Sequence, residues 1–504
     1  MANLRELIRP LILAKVTGLD QDVEIHGLQT DSRYVRPGDL FIALRGFSVD
    51  GHDYVEEAVG KGAAAVLVEE PMEVDVPCVL VPDSRRAMAV IANAFYHAPT
   101  QRLKLIGVTG TNGKTTTVHL IQKILSDHGK PTGTIGTISM RIADREYPVR
   151  NTTPDAVELQ QGFHMMCEAG LSHAAIEVSS HALDLGRTRG CLFHIAVFTN
   201  LSQDHLDYHK TMEQYREAKG LLFSQLGNHY PTHGSSGQVA VLNADDEASA
   251  YFSRITPAQV VTYGIEKEAD VRAENVNVTS EGTSFMLRTF RGSIAIQLQM
   301  VGKFSVYNAL AAATVALLEG ISLEDIAKSL ESVKGVPGRF ERVDQGAPCT
   351  VLVDYAHTPD SLENVLLTIR QFAQGEVYCV VGCGGDRDRA KRPIMARIAA
   401  LHSDTAVFTS DNPRSENPEA IVDDMMAGLE GVSSGKIKRI VDRREAIHYA
   451  IQQAKPGDVV LIAGKGHETY QEICGVRYDF DDREVAREAL KEKYGEERIN
   501  ENEM

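Results

Sequence analysis

Apolar and polar positions along this chain follow two alternating rhythms. From Leu105 onward, short continuous apolar runs closed by polar, glycine-bearing segments alternate with longer stretches of helical spacing. That alternation predicts parallel sheets covered by helices. "LKLIGVTG" (103–110) reads as a buried strand entering a glycine loop, and "KTTTVHLIQKILSDHG" (114–129) as the helix that follows. Further strands are expected at "AAIEVSS", "IAVFTN", "VAVLNADD" and "VVTYG", with this block closing after a helix around "VYNALAAATVALLEG". Helical spacing in "RAMAVIANAFYHAPTQRLK" runs into a polar linker at about 97–104, and "VKGVPGRFERV" marks a second break. Beyond it, "CTVLVDYAH", "VYCVVGCGGDRD", "TAVFTSDNPRSENP" and "DVVLIAGKGHE" each end an apolar strand in a polar loop, and these four tips should converge on one crevice.

The expected architecture is α/β in three domains. A small N-terminal α/β domain covers 1–100, a central P-loop-type parallel-sheet ATPase domain 101–335, and a C-terminal Rossmann-like domain 336–504. Composition adds exclusions. Lys+Arg 52 against Asp+Glu 69 gives a net charge of -17, which argues against general affinity for nucleic acid or anionic membrane. No apolar run reaches the roughly 18 residues of a membrane span. The opening "MANLRELIRPLILAKVTG" has no cleavage-site pattern and reads as a first amphipathic helix. Seven scattered cysteines fit free thiols in a reducing cytoplasm, and a monomer is expected.

Candidate chemistry begins at "GVTGTNGKTTT" (107–117). Gly110 and Gly113 enclose only Thr111 and Asn112, two residues fewer than the usual P-loop spacing. Backbone N–H groups opening a helix still form an anion nest, with Lys114 able to reach outer phosphates and Thr115 able to meet Mg²⁺; Thr116, next in the helix, is a further ATP-binding candidate. Glu177 sits inside an apolar run, where a carboxylate is costly unless paired or metal-bound. His205 and His209 are four apart, but without the glutamate or cysteines of a zinc site, so His205 alone is the candidate for magnesium or phosphate. Lys219 in "YREAKGLLF" reads by composition as a snorkelling surface lysine.

Taken together, "GVTGTNGKTTT", "EVSSHAL", "TNLSQDHLDYH", "EAKGLLF", "VGKFSVYNALAA", "GRFE", "DYAHTPDSL" and "GKGHE" resemble, in order and over nearly the whole chain, the Mur ligase family. These are ATP-dependent ligases that lengthen the peptide of the peptidoglycan precursor, and their glycine loop is similarly short. The resemblance implies that Lys114 and Thr115 hold ATP phosphates and Mg²⁺, that Glu177 and His205 bind Mg²⁺, and that Lys219 becomes a carbamate. It also implies nucleotide contacts from Asn308, Arg339, Asp354, Tyr355 and His357. "DNPR" (Asp411, Asn412, Pro413, Arg414) resembles the signature of members that add meso-diaminopimelate; alone, it would read equally as a turn with a solvated arginine. A planar guanidinium suits the distal carboxylate of that amino acid. Arg387 supplies a second matching cation, and Gly464 and Glu468 would meet the distal ammonium. The other substrate implied is a UDP-N-acetylmuramoyl dipeptide ending in D-glutamate, met by Ser32, Asn151, Thr152, Thr153, Ser179 and Arg187. Leu185 stands where some members carry glutamine. With ATP bound centrally and the amino acid C-terminally, domain closure is expected. The competing readings are the same reaction with L-lysine, a folylpolyglutamate synthase-like ligase, and a nucleotide-binding module that ligates nothing.

Overall fold

The computed structural model describes residues 1–495 apart from 47–48, 228–236, 345 and 432–435. Three large sheets follow one another along the chain: five-stranded, eleven-stranded and six-stranded. In the central one, the strand Lys104–Thr109 lies between His173–Glu177 and Phe193–Phe198, parallel to both. The chain adds strands first on one side of it and then on the other, so Lys104–Thr109 stands at the reversal of strand order where open α/β sheets bind ligands. Register sets the neighbours at that point: Glu177 pairs with Val108 and Phe198 with Thr109.

Alternation along Lys104–Thr109 feeds two cores, as the period of a strand requires. Ile106 and Val108 join Leu120, Ile121, Leu310 and Val315 on one face. Leu105 joins Phe163, Ile176, Phe198 and Phe223 on the other. The helix Lys303–Leu318 is apolar on nearly every side and buried accordingly, which places its N-terminal end against the glycine loop.

The sheet is not purely parallel. Antiparallel strands Met140–Ile142 and Arg145–Tyr147 close one edge, and Gly282–Thr289 and Gly292–Leu298 close the other. The block also continues past the expected last helix into the helix Leu323–Glu331. The first amphipathic helix shrinks to Leu4–Ile8, because Pro10 cannot continue it. The helix expected before the break at about 97–104 spans Ser84–Phe95, and His97 and Ala98 beyond it adopt left-handed backbone.

In the C-terminal sheet, Thr350–Asp354, Val459–Ala463, Val377–Val381 and Thr405–Phe408 run parallel side by side. Two of their tips are braced by a fully buried ion pair. Arg443 Nε and Nη2 donate to Asp482 at 2.8 and 2.6 Å, while Nη2 also donates to Ala463 O at 3.0 Å and Nη1 to Ser410 O at 3.3 Å. Such a pair owes its geometry to complete satisfaction of the guanidinium. All seven cysteines are free, Cys474 being exposed. Among the described residues, no helix is long and apolar enough to cross a membrane.

Candidate functional site

The glycine loop explains its own composition. Gly113 has φ 85° and a Cβ there would lie 2.4 Å from Asn308 Oδ1; at Gly110 a Cβ would lie 1.9 Å from Thr199 Oγ1. Side chains at either position would collide, so the tight loop demands glycine. Lys114 opens the helix Lys114–Asp127 and donates to Gly110 O at 2.9 Å and Thr111 O at 2.8 Å.

Lys219 overturns its compositional reading. It is 1% exposed within the helix Met212–Ser224, and donates to the same Gly110 carbonyl at 2.9 Å, with its nitrogen 4.3 Å from the Tyr215 ring centre. Burial, reinforced by the Lys114 charge, holds its pKa well below the ordinary lysine value. A buried neutral amine is the nucleophile that CO₂ needs to form a carbamate.

Nearby stand the candidate cation ligands. Glu177 is 2% exposed, and both its oxygens accept from Thr137, from N at 2.9 Å and Oγ1 at 3.0 Å. His205, with left-handed backbone, faces Asp204 at 3.3 Å, and burial lowers its pKa to about 2, leaving the ring neutral and able to ligate. His209 turns elsewhere, 2.9 Å from Ser180 Oγ, so the two histidines do not share a metal. Among the described residues, no three His, Cys, Asp or Glu gather into a metal group. A single carboxylate, a neutral imidazole and the Thr115 hydroxyl nevertheless fit Mg²⁺, which uses few protein ligands and takes the rest from phosphate and water.

A cavity of about 710 Å³ lies over this floor. Central residues Thr111 to Thr116, Glu177 and His205 line it together with C-terminal residues Arg339, Asp354, His357 and Arg387. The two halves also touch directly. Arg339 Nη2 donates to Thr115 Oγ1 at 2.9 Å, Asn112 Nδ2 to Asp360 Oδ2 at 2.8 Å, and Lys391 Nζ to Asp204 Oδ1 at 3.4 Å. A second cavity of about 600 Å³ shares Thr116, Phe304, Asn308 and Arg339 with the first.

The four C-terminal strand tips do meet. Asn412 Nδ2 donates to Glu468 Oε2 at 2.8 Å, Tyr355 reaches Glu468 Oε1 at 3.4 Å, and Arg414 Nη1 donates to Gly385 O at 2.7 Å. Gly464 has φ 115° and leaves room for Asp411, whose Oδ2 would lie 2.6 Å from a Cβ there. Pro413 packs its carbonyl on Gly385. Burial lowers the pKa of Arg387, and the like charge of Arg414 adds to the shift.

Three family descriptions match in chain order: "Mur ligase family, catalytic domain" over 24–96, "Mur ligase middle domain" over 108–316, and "Mur ligase, glutamate ligase domain" over 338–466. The chain belongs to the Mur ligase family. Similar to it is the UDP-N-acetylmuramoyl-L-alanyl-D-glutamate--2,6-diaminopimelate ligase of Geobacillus kaustophilus, 57% identical over 470 residues covering 93% of this chain and 96% of that enzyme. A solved structure of a ligase of the same name matches with TM-score 0.65 at 37% identity, covering 93% of this chain and 95% of that one. The folylpolyglutamate synthase of Mycobacterium tuberculosis shares the fold at 19% identity and TM-score 0.61, covering 75% of this chain and 92% of that one.

Within this Mur ligase, the larger cavity also reaches Asn151, Thr152, Ser179 and Arg187. Thr153 lies behind them, fully buried, donating to Glu177 O at 2.8 Å and accepting from Arg187 at its carbonyl at 2.9 Å. Ser32 stands apart, donating to Glu57 at 3.1 Å, and residues 411–414, 464 and 468 lie outside the cavity lining. Sequence reasoning passed over Asp204, Asp360 and Thr137, although Asp204 and Asp360 lie inside the quoted motifs.

Asp354 offers a pH test. Burial raises its carboxyl to about 6, although Arg339 and the Phe340 N–H, 2.6 Å away, oppose the shift. Because the folded state holds this proton more tightly than the unfolded one, the group's contribution is present at low pH and is lost as pH rises through about 6. Asp354→Asn should therefore stabilise the fold more at pH 8 than at pH 4.5, by roughly 2 kcal/mol between the two. Calorimetry at both values checks it; an equal gain would refute the burial argument.

Proposed function

We propose that the chain is an ATP-dependent, ADP-forming ligase that joins meso-diaminopimelate to UDP-N-acetylmuramoyl-L-alanyl-D-glutamate in peptidoglycan precursor synthesis. It works in the cytoplasm as a monomer, with domains at 1–100, 101–335 and 336–504. The observation that carries the reading is the single cavity in which Lys114, Glu177 and His205 face Arg339, Asp354, His357 and Arg387. It joins a phosphate-binding loop to the amino-acid side of the molecule. The high identity to diaminopimelate ligases narrows the substrate.

In this reading Gly110 to Thr116 cradle the triphosphate, Asn308, Arg339, Asp354 and His357 complete the nucleotide site, and the 600 Å³ cavity takes the base. Ser32, Asn151, Thr152, Thr153, Ser179 and Arg187 hold the UDP substrate, while Arg387, Asp411 to Arg414, Gly464 and Glu468 hold diaminopimelate. Thr115, Glu177, His205 and carbamylated Lys219 would hold Mg²⁺, which when bound offsets the charge repelling one anion from another.

The free glutamate carboxylate attacks the γ-phosphorus and ADP leaves, giving an acyl phosphate; the amine of diaminopimelate then adds to the acyl carbon and expels phosphate. Lys114 exchanges its carbonyl partners for phosphate oxygens and follows the charge as it moves. Arg187 and Thr152 orient the acceptor. The docked C-terminal half excludes water from the acyl phosphate.

Phosphate release with the UDP-dipeptide tests this. The parent should prefer meso-diaminopimelate over L-lysine, and Arg414→Ala should lower that preference about a hundredfold, the cost of leaving a carboxylate unpaired. Equal turnover of both amino acids by the parent sinks the specificity.

A further inference from the structure

The chain between Glu468 and the last helix forms a small hairpin, Tyr470–Ile473 paired with Val476–Asp479. Its outer strand is exposed at every residue, so the hairpin contributes little to any core. Its polar contacts go instead to one loop. Gln471 Nε2 donates to Asp411 O at 2.7 Å and to Ser410 Oγ at 3.4 Å. Glu472 N donates to Asn412 Oδ1 at 2.9 Å. Arg414 N donates to Glu472 O at 3.0 Å, and Cys474 N returns a bond to Arg414 O at 2.7 Å.

These contacts settle two conformations. Arg414 has φ 51°, a left-handed backbone that is strained for a non-glycine residue. Both of its peptide groups are tied to the hairpin, which holds it there. Asn412 has its amide orientation fixed: Oδ1 accepts from Glu472 N and from Lys465 Nζ at 3.2 Å, so Nδ2 must face Glu468. One hairpin thus positions a cation, Arg414, and an anion, Glu468, relative to each other. An amino-acid centre carrying both ammonium and carboxylate needs that spacing; an amine alone does not.

Resting on the reading of residues 411–414 as the diaminopimelate contact, we propose that this hairpin is the specificity template of the ligase and that Gln471 is its positioning residue. Gln471 acts through Ser410 and Asp411, the start of the loop whose next residues, Asn412 and Arg414, are held by the hairpin backbone.

Steady-state kinetics of the full chain test it with Gln471→Leu, which removes both donors at similar volume, and Gln471→Glu, which sets a carboxylate against the Asp411 carbonyl. KM for meso-diaminopimelate should rise about tenfold in the first variant and further in the second, with kcat held within about threefold. KM for ATP and for the UDP-dipeptide should stay at parent values, and the preference over L-lysine should fall by the same factor as KM rises. A parallel rise in all three KM values, or a diaminopimelate KM within about twofold of parent in both variants, overturns the proposal. If the parent releases no phosphate on adding diaminopimelate, the functional reading falls with it; a dependent parent with unaltered variants defeats the template alone.

Discussion

Lys219→Met should cut ligation by about three orders of magnitude and yet make the protein harder to melt. The side chain is 1% exposed, and its nitrogen shares the Gly110 carbonyl with Lys114. Two amines on one acceptor, in a site shielded from water, favour losing a proton from the more buried one. That neutral amine is what carbamylation requires, and the product is the anion proposed to hold Mg²⁺. Without it the phosphoryl transfer loses a ligand that methionine cannot replace.

The stability change has the opposite sign. A lysine whose folded pKa lies below its unfolded value binds its proton better when unfolded, so its cost to the fold is greatest at low pH and fades as pH rises toward 10.5. Methionine removes that cost, so Tm should rise, and by more at pH 6 than at pH 9. Calorimetry at both values, phosphate release, and the carbamate signal from ¹³C-labelled bicarbonate would decide the matter. Retention of ligation within about tenfold in the variant would remove the carbamate from the reading.

Lys114→Ala should be equally severe, about 10³-fold or more in kcat/KM, because its ammonium is proposed to follow the charge on the transferring phosphoryl group. The shared carbonyl adds a second consequence. Removing Lys114 takes away the like charge that helps keep Lys219 neutral, so the alanine variant should also carry less carbamate. The two defects therefore overlap, and the double variant Lys114→Ala/Lys219→Met should be scarcely worse than either single one. Additive losses in a double-mutant cycle would show that the two lysines act separately.

Much of this site is legible in the chain. The strand, glycine loop and helix around Lys114 follow from apolar patterning and loop composition, and the order of motifs marks Glu177, His205 and "DNPR". Lys219 is different: its neighbours look like those of any amphipathic helix, and only the folded packing against Gly110 reveals a buried amine. The antiparallel edges escaped because 140–147 are two short strands with polar flanks, and 271–298 alternate on a half-exposed surface. Asn112 and Asp360 are 248 residues apart, a separation no local pattern spans. Gln471 sits in an exposed, polar stretch that carries no signal until its amide is seen on the Asp411 carbonyl.

The contacts Arg339–Thr115, Asn112–Asp360 and Lys391–Asp204 sit across the mouth of the phosphate loop. Entry of a triphosphate and exit of a diphosphate along that loop are expected to part them. Parting of the two halves is thereby an expected step of the cycle, separate from the bond-making steps.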